Sequence, residues 1–468
     1  MKIAAGVKTN KLTGTLATLS KPELRAFGQF IVSPFFNQRT DVVRLYQWLL
    51  KGRPVEPKTA LFEYIFPEAP FDGQKLRLVF SYLQQLAEQF LACQQWRSSP
   101  GAYEVDLARA MRRRGLEVQF QEAMKTAKNA LECQPLRNSD YFLRQEQLLW
   151  EEARFESLRN PTEIRYLEKL SDNADLIWAT QKLRYFCLNR TQRIMYQTDS
   201  TLRLRSELET AIEHCGLLGF PAISTWYNCL KMLEEPGSEV YFTQFKQSFL
   251  EQGQLFNDDE TRDLYLFALN YCIRKVNDGQ RQFFHDIMDL YKDGLLKGYL
   301  FDKGVLSRYT YHNIVAAGLQ TREFEWVEDF IGRYRNALER SYRDSSYSFN
   351  LARLEFTRKR YDAALSLLQH SNYYDPLLSL AAKTMSLKIY YELGEFDLLH
   401  AHLEALKNYI RRKAMLGYHR DNYLKLVRYT QKLLSINPFN KSEVRNLKQK
   451  IAGEPVLTER EWLLEQLP

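Results

Sequence analysis

Glycine and proline are scarce. There are 20 glycines and 15 prolines in 468 residues, about 7%, against about 12% in average usage. Turns and strands consume these two residues, so their scarcity favours long helices. Cysteine is equally sparse. Cys93, Cys133, Cys187, Cys215, Cys229 and Cys272 stand singly, with no C-x-x-C pair. That pattern argues against a disulfide or zinc framework and for reduced, buried thiols in a cytoplasmic protein. The opening "MKIAAGVKTNKLTG" holds no apolar stretch of signal-peptide length. No apolar run approaches the ~20 residues of a spanning helix, so no membrane partner is expected.

Catalytic signatures are missing too. There is no H-E-x-x-H, no Walker loop, no G-x-S-x-G and no G-x-G-x-x-G. The seven histidines are scattered. His400 with Glu404, and His285 with Asp289, share a helix face at i,i+4, the spacing of a surface salt link. "NDDE" at 257–260 reads as a helix N-cap run, because the alternating ligands and glycine of a calcium loop are missing. No enzyme activity, cofactor or metal is expected.

What is present is helix-forming. Leu, Lys, Arg, Glu and Gln are abundant, and 13% of residues are aromatic, ample material for cores. The length exceeds one ordinary core, which implies several domains or an extended repeat array. The net charge of +8 is uneven. Residues 1–100 and 400–468 each carry 13 basic and 7 acidic side chains, whereas 101–399 carries 39 and 43. Basic ends suit nucleic acid or acidic partners. Without a dense Lys/Arg block, an ordinary solvated surface is the preferred reading.

The first 98 residues read as a small helical domain. Ser20 and Glu23 have capping-box spacing, with Pro22 in the first turn. Leu24, Phe27 and Ile31 form one face, and Pro34 in "SPFFN" stops the helix. A second helix from about Asp41 has Val43, Tyr46 and Leu50 as its expected stripe. A short helix and a turn follow, then a long helix marked by Leu76, Phe80, Leu83, Leu86 and Phe90. "RSSPG" at 97–101 is the linker candidate.

Beyond it the text repeats. "FQEAMKTAKNALECQP" (120–135) and "YDAALSLLQHSNYYDP" (361–376) share an aromatic start, Ala three places on and a closing proline. Upstream of the second lies "FNLARLEFTRKR". Phe349, Asn350, Leu351, Ala352, Phe356, Tyr361, Ala364, Leu368, Asp375 and Pro376 occupy the positions at which tetratricopeptide (TPR) repeats carry such types. Phe120, Ala123, Ala127, Ala130 and Pro135 match in the earlier copy. The chain thus resembles a TPR array. Between the copies a weaker marker recurs at Asn189, Asn228, Asn270, Asn313 and Asn350, with steps of 39, 42, 43 and 37 rather than the family's 34. "SPFFN" (33–37) and "WLL" (462–464) further resemble a group of bacterial TPR-like proteins with an SPYFN-type segment.

The expected fold is therefore all-α: an irregular TPR-like α-solenoid over 99–436, preceded by the helical domain 1–98 and closed by capping helices at 437–468. There Thr458 and Glu461 have capping-box spacing, and Trp462 and Leu463 would dock on the last repeats. Resemblance implies that Asn350, with Arg353 beside it, faces a concave groove and bonds a protein or peptide partner. Asn189, Asn228, Asn270 and Asn313 map there by local likeness. The competing reading is that each amide bonds a neighbouring helix. Arg112, Arg113 and Arg114, and Arg411, Arg412 and Lys413, sit at expected helix ends, where cations complement the dipole. Phosphate contact is the sharper alternative, so nucleic acid is the less favoured partner.

Overall fold

The computed structural model describes residues 11–157, 165–196, 199–369, 373, 375–412 and 419–468. Helices occupy 77% of them, with one minimal hairpin, so the fold is all-α. Two compact units form. One comprises Met1–Tyr185, Arg203–Ser224 and Gln254–Phe256, the other Phe186–Leu202, Thr225–Gly253 and Asn257–Pro468.

In the first unit, α1 (Lys11–Ala17), α2 (Lys21–Val32), α3 (Thr40–Leu50), α4 (Lys58–Ile65) and α5 (Gly73–Ser98) share one core. The long α5 is its spine, and α1, α2 and α3 all pack on it. Ser20 and Glu23 form the capping box, with the Ser20 N–H donating to Glu23 Oε2 at 2.7 Å. Helix α2 stops at Val32. Asn37 then pins the turn, donating to Ile31 O at 2.8 Å and accepting from the Arg39 N–H at 3.0 Å. In α3 the buried stripe is Val42, Leu45, Tyr46 and Leu49, not Val43 and Leu50. The Tyr46 hydroxyl donates to Leu24 O and fixes the helix rotation, so the stripe lies one position from the expected one. In α5 the fully buried Val79 takes the central place expected of Phe80, which is only partly covered.

A second core in this unit joins α6 (Ala102–Arg113), α7 (Glu117–Cys133) and α8 (Ser139–Glu156). The earlier repeat copy is most of α7. Phe120, Ala123 and Ala127 are buried there, and the Phe120 ring meets Phe155 at 4.4 Å. Glu151 of α8 is almost fully buried and accepts from Arg109 Nε at 2.8 Å and Arg112 Nε at 2.7 Å. Burial by itself would raise the Glu151 pKa. The two guanidinium hydrogen bonds outweigh it and hold the carboxyl below its ordinary value.

The chain continues through α9 (Arg165–Tyr196), α10 (Arg205–His214), α11 (Pro221–Glu234), α12 (Glu239–Gln252), α13 (Asp258–Asn277), α14 (Phe283–Leu296), α15 (Arg308–Gln320), α16 (Phe324–Arg333), α17 (Arg343–Thr357), α18 (Tyr361–Gln369), α19 (Pro376–Glu392), α20 (Phe396–Arg412), α21 (His419–Ser435), α22 (Lys441–Gly453) and α23 (Arg460–Glu465). In the second unit the principal packings join successive helices from α12 to α21 and α22 to α23, with α17 also meeting α15 and α19. Small residues set the close approaches. A Cβ on Gly318 of α15 would lie 2.4 Å from Val327 Cγ2 of α16. Ala352 of α17 and Ala364 of α18 are fully buried in one cluster. Asp375 caps α19 by accepting from the Leu377 and Leu378 N–H groups, and Pro376 takes the first helical position. "NDDE" is likewise a cap, Asn257 and Glu260 forming a capping box on α13. Thr458 and Glu461 form none. α23 starts after Glu459, whose backbone is left-handed (φ 58°) and whose side chain caps nothing.

Replacing Glu151 with Ala strands two partly buried guanidinium groups and is expected to cost about 3 kcal/mol in urea unfolding. Arg113→Ala, at an exposed site, is expected to cost less than about 0.5 kcal/mol. Gly318→Ala forces a methyl against a stiff β-branched neighbour and is expected to cost about 1–3 kcal/mol.

Candidate functional site

The five recurring asparagines fall on α9, α11, α13, α15 and α17, one on every second helix. All lie in the second unit. Three of these helices enclose a cleft of about 290 Å³. Thr191 comes from α9, Met232 and Leu233 from α11, Pro236 from the turn after it, and Phe267, Asn270, Tyr271 and Arg274 from α13. The helices are tied below the cleft. The Cys187 thiol of α9 donates to Trp226 O of α11 at 3.8 Å, and the Trp226 ring meets Phe267 of α13 at 6.4 Å.

The floor of the cleft is apolar, with Met232 and Phe267 buried. Tyr271 forms a fixed wall. Its ring stacks on Phe242 at 4.8 Å, its hydroxyl points to Pro236 O at 3.4 Å, and burial raises its pKa. Asn270 and Arg274, one turn apart, are exposed on the rim. Among the described residues neither side chain has a partner. An amide that both donates and accepts, a free guanidinium and an apolar floor together suit an extended peptide with a carboxylate and a large apolar side chain. The volume lies just below the roughly 300–1,000 Å³ of small-molecule sites, which fits one side chain better than a cofactor.

The other asparagines differ. Asn189 donates to Ser200 Oγ at 3.1 Å. Asn313 is exposed and bonds the Tyr291 hydroxyl of α14, whose pKa burial nevertheless pushes up to about 12. Asn228 is half-buried, with no side-chain partner among the described residues.

Asn350 faces inward rather than into a groove, and is fully buried. Its amide donates to His312 Nδ1 of α15 at 2.7 Å and to Ser346 O at 2.8 Å, and accepts from Arg353 at 3.4 Å. Arg353 also donates to His312 O at 3.2 Å. Burial lowers this guanidinium to about 10, so it stays charged at neutral pH. A buried amide must be satisfied, and here two neighbouring helices satisfy it. Asn350 therefore has no free bond for an outside peptide. Sequence reasoning missed His312, because nothing local pairs it with an asparagine 38 residues away.

The basic residues also divide. Arg112 is committed to Glu151. Arg114 turns back to Ala110 O at 3.1 Å, while Arg113, Arg411 and Arg412 are exposed. Lys413 lies outside the described residues. A larger cleft of about 820 Å³ over α1 and α5 has polar walls that pair with one another, Lys11 with Glu88 at 2.7 Å and Gln84 with Glu88 at 2.9 Å. Among the described residues no three His, Cys, Asp or Glu side chains group as metal ligands, and no helix is long and apolar enough to cross a membrane. No family model, curated protein or solved structure matches the chain.

The His312 network carries a pH dependence. Burial is the main cause that lowers the imidazole to about 4. The nearby Arg353 and Arg308 charges add to the shift, and the Asp375 charge opposes it. The unfolded histidine titrates near 6.5. Between pH 6.5 and 4 the unfolded state therefore holds the extra proton, and stability falls as the pH falls, by up to about 3 kcal/mol. Tm measured against pH should drop less steeply through this window for His312→Gln than for the parent.

Proposed function

We propose that the chain is a non-enzymatic, TPR-like helical-repeat scaffold that binds a protein or peptide partner in the cytoplasm. The cleft of α9, α11 and α13 is the point of contact. The supporting observation is the pair Asn270 and Arg274, unengaged among the described residues above a buried apolar floor. On α9, α15 and α17 the corresponding asparagines are engaged within the chain. Asn350 and Arg353 are spent on His312, and Asn189 on Ser200. A free amide and guanidinium one helical turn apart read a peptide backbone and a carboxylate, and Met232 with Phe267 takes an apolar side chain between them. Recognition combines backbone hydrogen bonds with a side-chain pocket.

A displayed peptide library tests this. Peptides selected by the parent should carry an acidic group beside Leu, Phe or Met. Asn270→Ala with Arg274→Ala should weaken their binding by about 2–4 kcal/mol in titration calorimetry. Its unfolding free energy should change by less than about 0.5 kcal/mol, because both sites are exposed. Peptides that bind the double variant as well as the parent would sink the assignment.

A further inference from the structure

A cleft of about 590 Å³ lies wholly within the first unit. Its size falls inside the roughly 300–1,000 Å³ of small-molecule sites. The first half of α8, the first half of α9 and the residues that lead into α11 build it. On α9, Lys169, Asp172, Asn173 and Leu176 line the cleft, at the i, i+3, i+4, i+7 spacing of one helix face. The other walls are aromatic. Phe142 meets Tyr141 edge-on at 5.4 Å and Phe220 edge-on at 6.4 Å. Arg137 also borders the cleft, but its guanidinium is committed. It lies over the Tyr141 ring at 4.5 Å and donates to Gln134 O at 2.6 Å and Leu136 O at 2.7 Å.

Asn173 is the polar group of the floor, only 4% exposed beside buried Phe142, Leu176 and Ala222. Its amide nitrogen donates to Phe142 O at 2.9 Å, which fixes the orientation of the side chain. The remaining Oδ1 is buried and accepts no hydrogen bond among the described residues. A buried acceptor left unpaired is costly, and only a donor can satisfy it. A ligand that completes this floor therefore brings an N–H or O–H on a flat apolar body. At the rim the chemistry is ionic. Lys169 and Asp172 are exposed, and neither enters an ion pair among the described residues. A cation and an anion one turn apart match a ligand that carries both charges.

We propose that this cleft binds a free amino acid with an indole side chain, tryptophan. The ring lies against Tyr141, Phe142 and Phe220. Its N–H, a donor and never an acceptor, goes to Asn173 Oδ1. The α-carboxylate meets Lys169 and the α-ammonium meets Asp172. A nucleotide fits less well, because its phosphate would face the Asp172 carboxylate and its base brings ring acceptors that repel Oδ1. The site is independent of the peptide cleft, whose lining residues all belong to the second unit.

Titration calorimetry of the full chain with L-tryptophan tests the assignment. The parent should bind it saturably. Tryptophan methylated on the indole nitrogen, and phenylalanine, both lack the ring N–H and should bind at least about tenfold more weakly. Lys169→Ala with Asp172→Ala, at two exposed positions that leave the fold intact, should weaken tryptophan binding by about three- to tenfold. Asn270→Ala with Arg274→Ala should leave it unchanged, which separates this site from the peptide cleft. No saturable binding of tryptophan at millimolar concentration overturns the proposal, and so does equal affinity for phenylalanine or an unchanged affinity in the Lys169, Asp172 variant. Glycyl-tryptophan that binds more tightly than tryptophan would assign the cleft to a peptide end. Adenosine monophosphate that does so would assign it to a nucleotide. Either result overturns the amino-acid assignment.

Discussion

A short helical hairpin has more apolar stripe than it can hide on itself, and most of this fold answers that constraint. In the second unit each helix covers its neighbour, and the contact is close only where a side chain is missing or minimal. Gly318 beneath Val327 shows this most sharply. Ala352 and Ala364 repeat the device one hairpin later, and Ala123 and Ala127 use it between α6 and α7. Packing of this kind runs along the chain order and so tolerates hairpins of unequal length. That accounts for asparagine steps of 37 to 43 residues with one asparagine still on each second helix.

Stacked helices bring polar side chains together as well as apolar ones. Along the asparagine-bearing helices the result varies with the neighbour. Opposite Asn350 stands His312, and the amide, the imidazole and Arg353 close into a network with little left to offer. Beside Asn270 stand Met232, Phe267 and the wall of Tyr271, which have no hydrogen bond to give its amide. The same residue type at equivalent helices is thus structural in one place and available in another. Glu151 makes a similar point for charge. It draws Arg112 out of what reads as a uniform basic run and leaves Arg113 at the surface.

The last helix closes the second unit by pairing with α22, the helix before it. α23 is short and starts from a left-handed residue; it packs on α22, its Trp462 and Leu463 join the core of α19 to α22, and Lys388 and Glu392 of α19 hold its polar side chains. Its tryptophan and leucine are buried, and its polar side chains are paired. An indole N–H and an amide share one carboxylate, and an acid lies against an ammonium.

The sequence alone determined the local grammar. Scarce glycine and proline gave helices, Ser20 with Glu23 and Asp375 with Pro376 gave helix starts, and the aromatic–alanine spacing of 120–135 and 361–376 gave the packing faces of α7 and α18. These signals act within about four residues, so the linear text holds them. It misplaced the α3 stripe by one residue and supplied a capping box at Thr458 that does not form, because helix rotation and entry angle are set by distant partners such as Leu24 and Lys388. Only the tertiary structure decided which asparagines are engaged, which arginine is neutralised and what lies against Trp462. The partners of Asn350, Arg112 and Trp462 stand on other helices, 38, 39 and 70 residues away, a distance at which sequence spacing carries no geometric information.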